Sequence, residues 1–237
     1  MTNIKRRRLL AAGLAAGAAG LGAASLRADQ DESKDKEVKA VEDLMREHGV
    51  LRRALLVYTT AAARLRGGSG KVPADALMRT AQLFRTFGED YHERMLEERY
   101  VFPALAGAQG PAGALPEVLK AQHERGRAIN DYVTAVTRGG GIGSGNAKPL
   151  ADALDGLVLM YRHHASIEDT VVFPAWKEMV SAQDYDELTD RFEELEQQMF
   201  GKDGFEDAVA RIAAIEKAFG IADLTSVTAP TPPKPLP

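Results

Sequence analysis

Apolar residues recur three and four positions apart through most of this chain. Val41, Leu44, Leu51 and Leu55 mark one stripe, and Leu77, Ala81, Phe84, Gly88, Tyr91 and Met95 a second. Leu115, Leu119, Gly126, Ile129 and Val133 mark a third, and Leu150, Leu157, Met160, Ile167 and Val171 a fourth. That spacing keeps each set on one face of an α-helix. No segment alternates with a period of two, so the fold class predicted is all-α. Long helices are predicted over residues 37–66, 73–105, 115–138 and 149–180. Gly67-Gly68-Ser69-Gly70 stops the first, and Pro73 suits the first turn of the second. A loop of Gly, Ala, Gln and Pro follows the second, and Gly139 to Asn146 form a flexible link before the fourth. Long helices with loops of modest length predict an up-down-up-down four-helix bundle over residues 37–180.

Two further helices extend the bundle. Ser181 can cap one that runs to Phe200, with Asp184 in its first turn. Gly201 and Gly204 break the chain, and Val209, Ile212, Ile215 and Phe219 mark the apolar face of the next, over 205–219. The segment 181–220 is expected to pack across one end or side of the bundle. Residues 221–237 end in a proline-rich, extended tail.

The first 28 residues are a separate object. Lys5-Arg6-Arg7-Arg8 precedes Leu9-Leu10 and a run of Ala, Gly and Leu, with small residues near Ala24 and Ala28. A basic start, a weakly apolar run and small residues at its end describe an export signal. The run of about 16 residues falls short of the ~20 strongly apolar residues of a membrane span, so an uncleaved anchor is the alternative and no stable insertion is expected after cleavage. Arg6-Arg7-x-Leu9-Leu10 resembles a twin-arginine signal, which implies export of a folded, cofactor-loaded protein to the periplasm or beyond. Residues 29–36 are a solvated leader.

Composition narrows the chemistry. A chain of 237 residues with 45% hydrophobic content suits one domain with extensions. It has no cysteine, which excludes disulfides, iron–sulfur clusters, thiolate zinc sites and cysteine nucleophiles. Any metal is therefore held by nitrogen and oxygen. The formal charge is −4, and without the signal's five cations (Lys5, Arg6, Arg7, Arg8, Arg27) the remainder stands at −9. No basic stripe remains, so nucleic acid is not an expected partner.

The five histidines are His48, His92, His123, His163 and His164. Two of them open a repeat: His92 leads to Glu97 and Phe102-Pro103-Ala104, and His164 leads to Glu168 and Phe173-Pro174-Ala175, with identical spacing from glutamate to Phe-Pro-Ala. His48 is central in its stripe. His164 and Glu168 share a face one turn apart, and a buried glutamate is costly unless paired or bound to a cation. His123 lies at the edge of its stripe, and His163 sits about 100° off its own, as a group behind any ligands. Glu97 is five residues beyond His92, where a straight helix would turn it outward. A π-bulge between them brings it back. Without the bulge Glu98 becomes the alternative ligand, and Glu93 is a further candidate. Imidazoles and carboxylates converging from several helices are the ligand set of a non-haem di-iron centre.

Glu47-His48-Gly49, His92-Glu93 through Phe102-Pro103, Gln122-His123 through Gly126-Arg127, and His164 through Phe173-Pro174 together resemble the hemerythrin-like, or HHE cation-binding, family. The resemblance implies a four-helix bundle holding two iron ions. It makes His48, His92, His123 and His164 terminal ligands, and Glu97 and Glu168 bridges. Oxygen-carrying hemerythrins place a second histidine where this chain has Arg127, so Glu93, or His163 after repacking, would supply a missing ligand. The donor set also suits manganese or zinc, while magnesium and calcium prefer oxygen alone.

Three functions follow as expectations. The first is a di-iron protein that binds, senses or scavenges O2 or NO, or handles iron, outside the cytoplasm. The second is a di-iron oxidoreductase of peroxidase or ferroxidase type, with Tyr91, Tyr100 or Tyr161 as proton donor. The third is a metal-free helical interaction module whose histidines merely pack.

Overall fold

The structure is a computed structural model that describes residues 38–67 and 71–235. The expected export signal and leader lie outside the described residues. Among those residues there is no strand, and no helix is long and apolar enough to cross a membrane.

Helix α1 spans Ala40–Leu65 and buries Leu44, His48, Leu51, Leu55, Tyr58 and Ala62 along one face. Helix α2 is a single rod of three parts: Ala74–Leu83 in α form, Phe84–Val101 in π form and Phe102–Ala104 in α form again. A short helical turn, Pro111–Ala114, sits in the expected loop. Helix α3 spans Pro116–Thr137. Helix α4 is another composite, with Ser144–Ile167 α-helical, Glu168–Val172 in π form and Phe173–Met179 α-helical. Helix α1 packs on α4, α4 on α3, α3 on α2, and α2 back on α1, which closes the four-membered ring.

Helix α4 begins at Ser144, five residues before the expected start at Pro149. Proline lacks the N–H that would bond the carbonyl of Gly145. Both Gly145 and Pro149 are exposed, so that carbonyl is left to water and the helix continues through.

Helices α5 (Ala182–Phe200) and α6 (Gly204–Phe219) begin as their caps dictate. Ser181 Oγ accepts from the Asp184 N–H at 3.1 Å, and Asp203 accepts from the Glu206 N–H at 2.8 Å. Both helices end at glycines with positive φ, Gly201 at 65° and Gly220 at 67°. The pair lies along the α1–α2 side of the bundle.

The extension does more than cover apolar surface. The first N–H groups of α1 have no partner in their own helix. The N–H of Val41 donates to the Tyr185 hydroxyl at 3.1 Å, and that of Ala40 to Thr189 Oγ1 at 3.2 Å. In return, Arg64 near the end of α1 donates to the Phe219 carbonyl at the end of α6, at 2.7 Å. Midway, Arg53 grips Glu216 with two bonds of 2.8 and 2.6 Å. Trp176 stacks on Phe192 with centroids 6.0 Å apart and joins α4 to α5. The segment 181–220 is thus an integral part of the helix pack. Tyr185→Phe keeps the ring and removes one cap of α1. It should lower stability by about 1 kcal/mol in urea unfolding with helical content intact.

Candidate metal centre

Four histidines, one from each helix of the bundle, point their Nε2 atoms at a common centre. His48 Nε2 and His92 Nε2 lie 3.0 Å apart, and His123 Nε2 and His164 Nε2 lie 3.1 Å apart. Two carboxylates stand between these pairs. Glu97 reaches His92 Nε2 at 3.2 Å and His123 Nε2 at 3.4 Å. Glu168 reaches His164 Nε2 at 3.0 Å and His48 Nε2 at 3.4 Å. All six side chains are buried.

Opposite each Nε2, the other ring nitrogen faces an oxygen. His48 Nδ1 is 2.7 Å from Asp169, and His92 Nδ1 is 2.6 Å from Glu47. His123 Nδ1 is 2.8 Å from Glu98, and His164 Nδ1 is 2.8 Å from the Gln122 side-chain oxygen. These acceptors place the imidazole proton on Nδ1 in all four rings, so each Nε2 presents a lone pair inward. The four oxygens of Glu97 and Glu168 have no hydrogen-bond donor either. With the rings neutral, eight acceptor atoms therefore converge on one space, which only protons or cations can hold together. Separations of 3.0–3.4 Å are the edges of a shell whose ligands lie about 2.1 Å from a shared ion. The donor set fits transition-metal cations, and Glu97 belongs to both groups of converging ligands.

The local backbone explains how glutamates reach inward from irregular positions. The Phe102 N–H bonds the Glu97 carbonyl, and the Phe173 N–H bonds the Glu168 carbonyl, each five residues back. Each phenylalanine precedes a proline, which has no N–H to give and whose ring presses on the carbonyl four residues earlier. Widening the turn to π form relieves that pressure. In the wide turn Glu97 lies over His92 despite the five-residue step. The expected π-bulge is thus part of an 18-residue π segment, and a second π turn at Glu168 was not anticipated.

The site repeats itself about a pseudo-two-fold axis. Phe173 stacks on His48 at 5.5 Å, and Phe102 stacks on His123 at 5.6 Å. Arg52 pairs with Asp169 behind His48, and Arg127 pairs with Glu98 behind His123 at 2.6 Å. Each arginine lies four residues after its histidine, and each paired carboxylate directly follows a central glutamate. Arg127, where a further histidine had been considered, is therefore the counterpart of Arg52. It holds the acceptor that orients His123.

Other expected residues fall elsewhere. Glu93 is buried beside the centre, but one oxygen accepts from the Tyr161 hydroxyl at 2.6 Å and the other from Arg127 at 3.1 Å. Each oxygen thus has one donor already, and Glu93 stands beside the centre rather than among the four Nε2 atoms. Glu93, Glu98 and His123 Nδ1 also converge, but the Arg127 guanidinium already serves both carboxylates as their cation. Glu98 sits behind His123 while Glu97 faces the centre. His163 is exposed and is not a group behind the ligands. Glu47, Asp169 and Arg52 escaped the sequence reading. Aligning the whole α1–α2 half on the α3–α4 half would have found them, because Glu47-His48 and Arg52 match Gln122-His123 and Arg127.

Gly126 does not leave room for a ligand. A Cβ there would lie 2.1 Å from the Tyr161 hydroxyl, which fills that space. Next to the centre is a cavity of about 10 Å³, lined by Leu51, Leu55, Tyr161 and Ala165 among others. That is about the room one water-sized molecule needs.

Without a cation, protons are the remaining counter-charge. Burial pulls the His123 pKa down, but Glu93, Glu98, Glu97 and Glu168 outweigh it and raise it to about 9. Burial likewise disfavours charge on His92, yet Glu97 and Glu47 lift it well above the usual histidine range. Glu168, despite burial, is held well below the usual carboxylate range by His164 and His48. Behind the rings, burial raises Glu47 to about 7, and His123 with Arg127 overcomes burial to hold Glu98 at about 2.

The geometry defines a cation centre in a helical bundle. Comparison places it in a family: residues 39–176 match the hemerythrin HHE cation binding domain, and the chain belongs to that family. Uncharacterized proteins of Mycobacterium bovis and Mycobacterium tuberculosis are 42% identical to it over 203 residues, 85% of this chain and 78% of theirs. No solved structure matches the chain significantly.

A cation must displace the proton that His123 holds below about pH 9. Zinc added to metal-stripped protein at pH 7 should therefore release protons, seen in a weakly buffered indicator assay. Affinity should climb with pH and level off above about 9. In the metal-free protein the raised His123 pKa stabilises the fold fully below the unfolded histidine value of about 6.5. That contribution is lost as pH rises through about 9, so the metal-free form should lose stability across that window.

Proposed function

We propose that the centre holds two transition-metal ions, iron foremost, bridged by Glu97 and Glu168, and that the protein binds a small ligand such as O2 or NO outside the cytoplasm. The observation that carries this reading is the set of four inward Nε2 lone pairs around two buried carboxylates with no hydrogen-bond donor. Charge supports two ions. Once cations displace the protons, ionised Glu47, Glu93, Glu97, Glu98, Glu168 and Asp169 face Arg52 and Arg127, an excess of four negative charges over neutral imidazoles. Two divalent ions cancel it. Mixed imidazole and carboxylate donors suit iron, manganese or zinc.

A di-iron unit, when bound, supplies redox electrons and a coordination position for a diatomic ligand. The chain supplies the rest. Leu51 and Leu55 keep the adjoining cavity apolar on the α1 side, and its volume of about 10 Å³ limits what fits beside the centre. Turnover as a peroxidase or ferroxidase is a second reading, and one contact favours it. Tyr161 lines the same cavity, and its hydroxyl, fixed on Glu93 at 2.6 Å, can hold a proton beside it. A metal-free packing module would have to bury Glu97 and Glu168 without donors, at several kcal/mol each.

Metal analysis of the natively produced protein should find about two ions per chain, mostly iron. Protein that neither carries nor takes up a transition metal anaerobically would refute the reading. Glu168→Ala should lose metal, and with it the rise in melting temperature that metal gives. Rapid mixing of the ferrous form with O2 or NO separates stable binding from turnover. For export, Lys at positions 6, 7 and 8 together should strand metal-loaded precursor in the cytoplasm. Normal export of that variant would mean the metal is acquired afterwards.

A further inference from the structure

The pseudo-two-fold symmetry breaks at one pair of residues that touch the centre only through histidine. Behind His92 stands Glu47, a fully buried carboxylate whose Oε2 takes the Nδ1 proton at 2.6 Å. Its other oxygen has no hydrogen-bond donor. Behind His164 stands Gln122, half-buried and neutral, accepting at 2.8 Å. The remaining partners match in kind. His48 and His123 each donate to a carboxylate tied to an arginine.

A carboxylate acceptor gives an imidazole more anionic character than an amide does, and makes its other nitrogen the stronger donor to a cation. Glu47 also adds a charge that burial does not let water screen. On the opposite side Glu93 is also buried, but Arg127, at 3.1 Å from it and 2.6 Å from Glu98, offsets only one of these two charges, and Tyr161 ties the other Glu93 oxygen. Arg127 is itself buried, whereas Arg52 is half-exposed and screened. The anionic acceptor behind His92 and the buried Arg127 both favour a cation on the His48–His92 side, and Glu93 alone opposes them.

We infer that the two cation positions are unequal and fill in order, the His48–His92 position first, and that Glu47 sets the order as a positioning residue acting through His92. This rests on the two-ion reading above. The second position, between His123 and His164, is then the weaker and more readily exchanged. A site of this kind can keep one ion while it releases or reloads the other.

Titration of the metal-stripped full chain with zinc tests this. Calorimetry follows affinity, and the four Nδ1–H proton resonances report which histidines bind. The expected result is two steps separated by about 10- to 100-fold in affinity, with the His48 and His92 signals shifting in the first. Glu47→Gln should bring the steps together by weakening the first. Gln122→Glu should do so by tightening the second, and it stands alone if Glu47→Gln fails to fold. Simultaneous filling of both positions, His123 and His164 shifting first, or a gap unchanged in Gln122→Glu would overturn the inference and leave the two-ion centre intact. One zinc per chain would instead overturn the two-ion reading, and the inference with it.

Discussion

Eight acceptor atoms in a closed bundle core, held together only by the protons or cations between them, are what the rest of this structure answers to. A buried carboxylate without a partner costs several kcal/mol, and two side by side cost more because they repel. Four imidazole lone pairs aimed at the same space deepen the negative potential. Cations relieve all of this at once. The surroundings are arranged accordingly: Asp169, Glu47, Glu98 and Gln122 each hold a proton on the far side of a ring, so the near side stays free.

The construction is the same helix pair used twice. Each pair contributes a histidine with an arginine one turn on, then a second histidine, a central glutamate, an orienting carboxylate and a Phe-Pro. The proline is the least expected contributor. By forcing a π turn it swings the central glutamate inward, and the phenylalanine before it lies flat on the histidine of the other pair. Backbone strain relief and side-chain packing thus converge on one geometry. The two halves differ at Glu47 against Gln122, and at Leu51 packed on Gly88 against Tyr161 packed on Gly126.

Much of this could be read from the chain. Apolar periodicity located all six helices to within a few residues, because a long amphipathic helix repeats its signal several times. His92, Glu97, His164 and Glu168 were legible from the Phe-Pro repeat, His48 from the centre of its stripe, and His123 only from the family resemblance. What escaped was tertiary or relational. Pro149 reads as a helix start in sequence, but exposure of Gly145 lets the helix begin five residues earlier. The caps of α1 come from Tyr185 and Thr189, far along the chain and invisible to local patterns. The donors to Glu93, Tyr161 and Arg127, come from the other helix pair and leave no local trace in the sequence. His163 shared only adjacency with His164, and a helix turns adjacent residues about 100° apart.

Anomalous diffraction from crystals of the iron-loaded protein tests the central claim most directly. Two peaks should appear about 3.5–4 Å apart, one bonded to Nε2 of His48 and His92, the other to Nε2 of His123 and His164, with Glu97 and Glu168 spanning both. A single peak, or a metal bonded through the Nδ1 atoms with Glu97 and Glu168 uninvolved, would contradict the account.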